Sequence, residues 1–428
     1  FSSFFKISNT TNTRSLRDFH NLGVKNSLIK SLARPGTILI DLACGKAGDL
    51  PKWINSKLKF VLGIDLSKDN IENRIDGACS RFLNYAKKTN KLPNCIFLNG
   101  NSSINLKSGN GFYDDKSRNI FKALFGEGTN NELNLGKNAS SNFAVASKGF
   151  NICSIQFAIH YMFENNETLT NFIENVAQST CLNGYFIGTC YNGNEVFNML
   201  KDIEINDSKT LFKNSNKIWQ ITKKYNNIEF NDDETCLGYA VDIYQESINK
   251  VIREYLVNFN YLNRILENYG FIKLSDDELK EINFESSVGS FKNLYYNFEE
   301  RAKYNNELKQ TLGTTFNMSE EEKQISFLNN YFIYKKVRNI NINDVSKKNN
   351  EDNNIIFNDK ISELDKKLES IELENTKDNT KEKTKENTKE KTKENTKEKT
   401  KEKTKDEIER EIDRKIKLAA DKKKLKKK

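Results

Sequence analysis

Residues 40–53, which read IDLACGKAGDLPKW, place two acids, two glycines and two lysines directly after an apolar run. Asp41 stands where that run would end as a buried strand, and Gly45 lies in the turn that follows. A carboxylate at this point repels a pyrophosphate, because both groups are negatively charged. It favours a cationic ligand, and S-adenosylmethionine carries both an ammonium and a sulfonium group. The turn therefore predicts a site for S-adenosylmethionine.

Two phosphate-binding patterns fit the same turn less well. A P-loop requires Ser or Thr directly after its lysine, whereas Ala47 follows Lys46 here. The dinucleotide fingerprint G-x-G-x-x-G is only approximated by Ala43, Gly45 and Gly48. We therefore interpret the turn neither as a P-loop nor as a dinucleotide-binding fingerprint.

A second acid, Asp65, ends the next apolar run along the chain. It follows the first turn by about twenty residues, the spacing at which an acid binds ribose hydroxyls in nucleoside-binding α/β folds. Asp41 and Asp65 together thus predict a nucleoside site at the carboxyl ends of two strands. Ordinary turn acids of another α/β protein are the alternative interpretation.

The elements that must position these acids alternate between strand and helix patterns. The strand patterns cover 37–42, 60–66, 95–100, 150–156 and 183–191. The helix patterns cover 16–33, 50–54, 70–88 and 168–180. Residues 105–148, rich in Gly, Asn and Ser, form an insertion that is long for a structureless loop. This alternation predicts an α/β fold with a mostly parallel sheet and helices on both faces.

The pattern changes after residue 217. Residues 238–266 indicate strand, turn, strand and helix, and 325–337 a closing strand, which together predict antiparallel pairing at the sheet edge. From residue 339 the chain is charged and rich in Asn, which predicts a disordered tail or a solvated helix. We therefore expect a flexible segment 1–13, a folded domain 14–338 and a low-complexity tail 339–428.

Composition narrows the class of partner. The net charge of +9 suits a polyanion, although much of the excess lies in the tail. Seven cysteines without a C-x-x-C pair, and only two histidines, argue against a structural zinc site or a disulfide framework. There is no apolar segment long enough to span a bilayer, so we expect no membrane partner. The chain begins at Phe1 rather than Met, and we expect it to be part of a longer protein.

Three motifs together resemble the messenger-RNA cap guanine-N7 methyltransferases: DLACGKAGDLPKW, QFAIHYMFE and NGYFIGTCYNG. LRDFHNLGVKNSLI and SFLNNYFIYKK are similar to the form fused into large-DNA-virus capping enzymes. The resemblance extends over about residues 14–338. D-x-x-x-G alone occurs across methyltransferases generally, whereas QFAIHY combined with CGKAGDLPKW is far more specific.

The resemblance implies a Rossmann-like class I methyltransferase fold, with S-adenosylmethionine as cofactor and 5'-capped mRNA as substrate. The methyl group would pass in line to guanine N7, with no metal and no catalytic acid, base or nucleophile. Other capping-enzyme domains or subunits are implied as partners. The implied location is the nucleus or, for a viral protein, a cytoplasmic viral factory or the virion.

The resemblance also assigns ten residues to the cofactor: Lys25, Asp41, Ala43, Gly45, Asp49, Asp65, Asn101, Ser102, Gln156 and Tyr161. Two of them depart from the family pattern. Ala43 replaces a glycine, which costs free energy if φ is positive there. Asn101 replaces an acid but keeps one acceptor oxygen for the adenine amino group.

Eight residues are implied for the cap: His20, Asn21, Lys46, Lys52, Arg81, His160, Glu254 and Tyr331. A carboxylate such as Glu254 accepts hydrogen bonds from guanine N1–H and its exocyclic amine, a pair that adenine lacks. The two lysines would reach the triphosphate as point charges, and the tyrosine would stack on the purine. Arg81 lies one turn after Gly77, which occupies the family's arginine position.

Structural roles are the alternatives at three of these positions: a buried structural histidine at His160, a surface carboxylate at Glu254 and packing at Tyr331. Two other functions also stay open. One is a methyltransferase of another substrate class that shares only the cofactor half. The other is a catalytically decayed RNA-binding module, which the departures at Ala43 and Asn101 would support.

Overall fold

The computed structural model describes residues 12–246 and 248–341. The beginning of the predicted flexible segment, up to residue 11, and the predicted tail from residue 342 lie outside the described residues. Within the described ranges, no helix combines the length and apolar character needed to cross a membrane.

The strands are β1 (Ile38–Asp41), β2 (Phe60–Asp65), β3 (Asn94–Asn99), β4 (Phe150–Gln156), β5 (Thr180–Tyr191), β6 (Ser208–Lys213), β7 (Asn216–Lys223), β8 (Ala240–Gln245), β9 (Lys250–Tyr255), β10 (Phe271–Lys273), β11 (Val288–Ser290) and β12 (Asn329–Lys336). The α-helices are α1 (Arg14–Asp18), α2 (Asn26–Leu32), α3 (Leu50–Asn55), α4 (Lys68–Glu72), α5 (Ala78–Ala86), α6 (Asp115–Leu124), α7 (Glu132–Leu135), α8 (Lys137–Ser141), α9 (Asn166–Ser179), α10 (Gly193–Leu200), α11 (Phe259–Asn268), α12 (Asp276–Ile282), α13 (Phe291–Ala302), α14 (Asn306–Thr311) and α15 (Glu320–Ser326). A π-helical stretch, Phe19–Lys25, joins α1 to α2, and 3₁₀ turns cover Ile159–Glu164, Glu234–Cys236 and Thr315–Asn317.

The larger sheet has the strand order β10-β12-β5-β4-β1-β2-β3, with β11 paired to β12. Strands β1 to β5 pair in parallel, whereas β12 is antiparallel to β5. The predicted α/β fold, a mostly parallel sheet with an antiparallel edge, is therefore confirmed. The carboxyl ends of β1, β2 and β4 meet at one edge, which brings the ends of distant sequence segments together.

The prediction that 238–266 pairs at the edge of this sheet is wrong. Strands β8 and β9 belong to a separate antiparallel sheet with the order β6-β7-β8-β9. The edge position beside β5 is already taken by β12, whose residues 329–335 pair with residues 185–191. The second sheet instead buries Trp219, Ile221 and Ile243 in the hydrophobic core that covers one face of the larger sheet.

The single helix predicted over 70–88 is two helices in the structure. The chain turns between α4 and α5, where Asn73 Oδ1 accepts hydrogen bonds from the backbone N–H groups of Ile75 and Asp76. An asparagine side chain that bonds the backbone two or three residues on competes with the helix and favours a turn. This turn carries Asp76 toward the loop after β1, as described below.

Residues 105–148, predicted as an insertion, contain α6, α7 and α8. Their apolar residues, among them Phe121, Leu124 and Ala146, are buried in a second hydrophobic core. This core covers the face of the larger sheet that the second sheet does not cover. The segment thus forms the crossover between β3 and β4 and covers part of the sheet.

Candidate active site at the carboxyl edge of the sheet

The loop after β1 is held to the end of β2 by its own backbone. The N–H of Gly45 donates to Asp65 Oδ2 at 2.7 Å, and φ is +54° at Gly45. No described atom lies within 4 Å of where a side chain on Gly45 would begin, so the loop faces open space. Positive φ occurs at Gly45 and Ala47 and not at Ala43. The alanine at the family's glycine position therefore imposes no backbone strain.

Asp65 is held rigidly. Besides the Gly45 bond, its Oδ1 accepts from the N–H of Ser67 and from Asn70 Nδ2, both at 2.9 Å. A carboxylate that accepts several such bonds is kept in one orientation at the end of its strand. The acid predicted for ribose hydroxyls thus lies directly beside the glycine loop.

Asp49 forms the centre of a buried charge cluster. Its Oδ1 lies 2.8 Å from Lys52 Nζ and 3.5 Å from Lys25 Nζ. Burial raises the pKa of Asp49, but the two lysines outweigh it and lower that pKa to about 2. Lys52 Nζ also lies 3.3 Å from Asn21 Oδ1. The structure therefore brings these predicted cofactor and cap residues together.

Asp41 differs from Asp49 although both are buried. Burial, followed by repulsion from Asp49, raises the pKa of Asp41 to about 8. A cation placed beside it would restore the carboxylate, because an opposite charge favours the ionised form. Together with the open space beside Gly45, this acid fits the cationic methionine part of S-adenosylmethionine.

The other predicted cofactor residues bond within the protein. Ser102 Oγ donates to the carbonyl oxygen of Leu42 at 2.6 Å, and Asn101 Oδ1 accepts from the N–H of Ser103 at 2.9 Å. Gln156 Oε1 accepts from Thr189 Oγ1 at 3.1 Å. These bonds tie the loops after β1 and β3 to each other and fix the end of β4.

His160 and Glu254 converge from different sheets. His160 lies in the 3₁₀ turn after β4, Glu254 lies on β9, and His160 Nδ1 is 3.6 Å from Glu254 Oε2. Both nitrogens of the buried imidazole lack a hydrogen-bond partner in the part of the chain that the structure describes. Burial lowers the pKa of His160 to about 3 and raises the pKa of Glu254 to about 8. Both groups are therefore mainly neutral near pH 7.

Tyr161 connects this pair to the cofactor side. Its ring centroid lies 4.1 Å from that of His160. Burial raises the pKa of Tyr161, and the charges of Glu254 and Asp65 raise it further. The ring of Tyr161 packs against the imidazole of His160.

Phe157 was not assigned a role from the sequence. Its φ is +55°, a strained value for a bulky residue. Its ring stacks on His20 at 5.2 Å between centroids, and Lys25 Nζ lies 5.3 Å above it. Phe157 falls within QFAIHY, directly after β4. Its place in this motif is the only feature of the sequence that indicates a role in the site.

The remaining basic residues lie beside the loop. Lys46 Nζ is 2.7 Å from Asp76 Oδ1 and 3.7 Å from Asp69 Oδ2, and its side chain is buried. Arg81 Nη1 lies 4.0 Å from where a side chain on Gly48 would begin. Both cations flank the loop after β1, without a direct contact to His160 or Glu254 among the described contacts.

Tyr331 has the surroundings of a packing residue. It is 3% exposed, its ring lies 5.1 Å from that of Phe284, and its hydroxyl is 3.4 Å from Ser286 Oγ. A side chain on Gly289 would come within 2.3 Å of the Tyr331 hydroxyl. The packing interpretation thus accounts for every contact of this tyrosine in the described structure.

A mostly parallel sheet with helices, and with buried acids and a glycine loop at the carboxyl ends of β1 and β2, defines a Rossmann-like α/β protein. The sequence model of the mRNA (guanine-N(7))-methyltransferase domain matches residues 7–337. That match covers most of the chain, and the chain belongs to this family.

Curated relatives agree with the family. A probable mRNA-capping enzyme of Acanthamoeba polyphaga mimivirus is 28% identical over 363 residues, covering 81% of this chain and 30% of the relative. The mRNA cap guanine-N(7) methyltransferase of Saccharomyces cerevisiae is 27% identical over 257 residues, covering 60% of this chain and 50% of the relative. This chain therefore spans half or less of these two relatives. Among solved structures, the CcbJ methyltransferase of Streptomyces caelestis is 9% identical with a TM-score of 0.40, covering 78% of this chain and all of that one, 100%.

Proposed function

We propose that this chain transfers a methyl group from S-adenosylmethionine to N7 of the terminal guanine of the 5' mRNA cap. The observation that carries the proposal is the convergence of His160 and Glu254. His160 Nδ1 lies 3.6 Å from Glu254 Oε2, and neither imidazole nitrogen has a hydrogen-bond partner among the described residues. A buried imidazole without hydrogen-bond partners, next to an acid and beside a nucleoside site, is typical of a ligand-binding position. Family membership points to guanine as the ligand.

The cofactor would lie at the loop after β1. Asp41 would face its cationic methionine part, and Asp65 would accept hydrogen bonds from ribose hydroxyls. Lys25, paired with Asp49, would meet the methionine carboxylate. When bound, S-adenosylmethionine supplies an electrophilic methyl group on sulfur.

The protein's own contribution would be alignment and charge. Guanine N7 has an exposed lone pair, so the transfer needs no base, and positioning alone contributes roughly 7–11 kcal/mol. Glu254 would accept from guanine N1–H and the exocyclic amine. Its carboxylate would also stabilise the positive charge that the purine acquires. Phe157, stacked on His20, offers an aromatic surface beside the purine.

The triphosphate bridge would lie along the loop's cations. Arg81 is partly exposed beside this loop. Lys52 and Lys46 are buried, and each would exchange part of its contact with Asp49 or Asp76 for phosphate oxygens. The partners would be capped mRNA and other capping domains or subunits. The protein would act in the nucleus or, if virus-encoded, in a cytoplasmic viral factory.

The test is methyl transfer from labelled S-adenosylmethionine to RNA that carries either a GpppG cap or an uncapped 5' triphosphate. We expect label only in the capped RNA, recovered as 7-methylguanosine after digestion. Cofactor binding without transfer to capped RNA would favour a methyltransferase of another substrate class. Absence of cofactor binding in calorimetry would favour the decayed RNA-binding module.

A further inference from the structure

A cavity of about 680 Å³ lies at the opposite end of the sheet from the candidate active site. It is lined by Ile38, Asn151 and Thr180, which are at or next to the amino ends of β1, β4 and β5. The acids of the candidate site follow the carboxyl ends of the same strands. Volumes of about 300–1,000 Å³ are typical of small-molecule sites.

The lining of this cavity is cationic. It contains Lys59, Lys107, Lys148 and Lys336, and no Asp or Glu among the described residues that line it. Lys59, Lys107 and Lys148 are exposed, whereas Lys336 is buried at 6% exposure. Lys107 pairs with Glu127 at 3.6 Å, outside the lining. Four ammonium groups around one concave space attract an anion with several charges.

The side chain of Lys336 is held in one position at the cavity by hydrogen bonds. Its Nζ donates to the carbonyl oxygens of Ala177 at 2.7 Å and Thr180 at 2.8 Å, and an ammonium has a third proton to donate. Burial lowers the pKa of Lys336, and repulsion from Lys107 lowers it further. An anion between these lysines would therefore relieve an unfavourable arrangement in the free protein.

Two further lining residues favour an organic ligand over a simple inorganic anion. Gln178 Oε1 is buried and has no hydrogen-bond partner in the described structure, so it can accept from a hydroxyl or an amino group. Phe125 contributes an aromatic wall, with Lys107 Nζ at 5.8 Å from its ring centre. A ligand that combines several negative charges, a hydrogen-bond donor and a flat apolar part would satisfy all of them.

We propose that this cavity is a second ligand site, separate from the candidate active site, and that it binds a nucleoside polyphosphate. The phosphates would lie between Lys336 and the exposed lysines. The ribose or base would donate to Gln178 and pack on Phe125.

The experiment titrates the full chain with GTP and, separately, with inorganic tripolyphosphate, by calorimetry at low and moderate salt. We expect GTP to bind this cavity in addition to the candidate cap site, with an affinity at the cavity that falls as salt rises. The double variant Lys59→Ala, Lys148→Ala should weaken GTP at least about fivefold, since two charge contacts are lost. Both side chains are exposed, so the variant should fold normally. The matched control, Lys292→Ala with Lys309→Ala, removes two exposed lysines outside the cavity and should leave the affinity unchanged.

Two further variants separate the possible sites and ligands. Gln178→Leu should weaken the binding of GTP and leave the binding of tripolyphosphate unchanged. If GTP and tripolyphosphate bind with equal affinity, and Gln178→Leu changes neither affinity, the nucleoside part of the proposal is overturned. Glu254→Ala should remove only the binding at the candidate cap site and leave one GTP site with the affinity of the cavity. Loss of all GTP binding in Glu254→Ala, or an unchanged pair of sites in the lysine double variant, would assign GTP to the candidate cap site alone and overturn the proposal.

Discussion

The cofactor side and the cap side of the candidate site are built in different ways. On the cofactor side, Asp41, Asp49 and Asp65 follow adjacent strands and are close in sequence, and Asp49 is neutralised by two lysines. On the cap side, His160 and Glu254 come from different sheets and approach without a hydrogen bond within the described chain.

The difference shows where the protein has completed its own interactions. The cofactor side is already cross-linked by the bonds of Asp65 and Asp49, so it is preorganised before any ligand arrives. The cap side leaves buried polar atoms unsatisfied, which is costly unless a ligand supplies their partners. We therefore expect substitutions on the cofactor side to act mainly on stability, and those on the cap side mainly on substrate use.

The largest expected effect is on the cofactor side. Asp49→Ala leaves Lys25 and Lys52 without their shared buried partner, and we expect a loss of about 3–5 kcal/mol in the free energy of unfolding. Urea denaturation measures it. The control is Asp277→Ala, because Asp277 is 92% exposed and its partner Lys280 is at 3.2 Å on the surface. The control should change stability by less than about 0.5 kcal/mol, and equal losses in both variants would contradict the prediction.

Glu254→Ala probes the cap side. We expect kcat/KM for capped RNA to fall on the order of 100-fold, since the guanine donors lose their acceptor. The affinity for S-adenosylmethionine should stay within about twofold of the unsubstituted protein. Steady-state kinetics and calorimetry give the two values. Glu195→Ala, an exposed acid on α10, is the control, and parallel loss of both properties in Glu254→Ala would remove the proposed role.

The pH dependence sharpens the same comparison. The pKa of Glu254 is raised to about 8, while the proposed recognition of guanine would use the ionised carboxylate. Cap affinity at saturating cofactor should therefore rise up to about tenfold per pH unit from pH 6 and level off above pH 8. Binding assays with a GpppG analogue measure the slope. Glu254→Gln should abolish it, and a slope that persists in this variant would assign the titration to another group.

The stability of the free protein should change in the opposite direction. Because the pKa of Glu254 is raised from 4.5 to about 8 on folding, its contribution is complete below pH 4.5 and is lost as the pH rises through 8. Denaturation midpoints between pH 5 and pH 9 should fall less steeply in Glu254→Gln.

The smallest effect concerns the alanine in the loop. Since φ is not positive at Ala43, Ala43→Gly should lower the free energy of unfolding by about 0.4–1 kcal/mol, through greater freedom of the unfolded chain. Affinity for S-adenosylmethionine should change less than about twofold. Tenfold tighter cofactor binding in Ala43→Gly would instead support the decayed-module alternative.

Much of the larger sheet could be predicted because its signals are local. The strands that end at Asp41 and Asp65 are short, apolar and followed by turn residues, and the structure places them as expected. The break between α4 and α5 could not be read from periodicity, because one asparagine side chain decides it. The separate second sheet could not be predicted, because the alternation of apolar and polar residues shows which face of a strand is buried and not which strand lies beside it.

For the candidate site, the sequence by itself determined the acids, lysines and histidine available for chemistry, and the motif order that identifies the family. Only the tertiary structure decided which of them meet: Glu254 comes to His160 because β9 packs in a second sheet, and Tyr331 is used in packing against Phe284. The physical reason is the sequence separation of the interacting residues. Turn geometry and strand ends depend on neighbouring residues, whereas contacts between sheets depend on how the whole hydrophobic core closes.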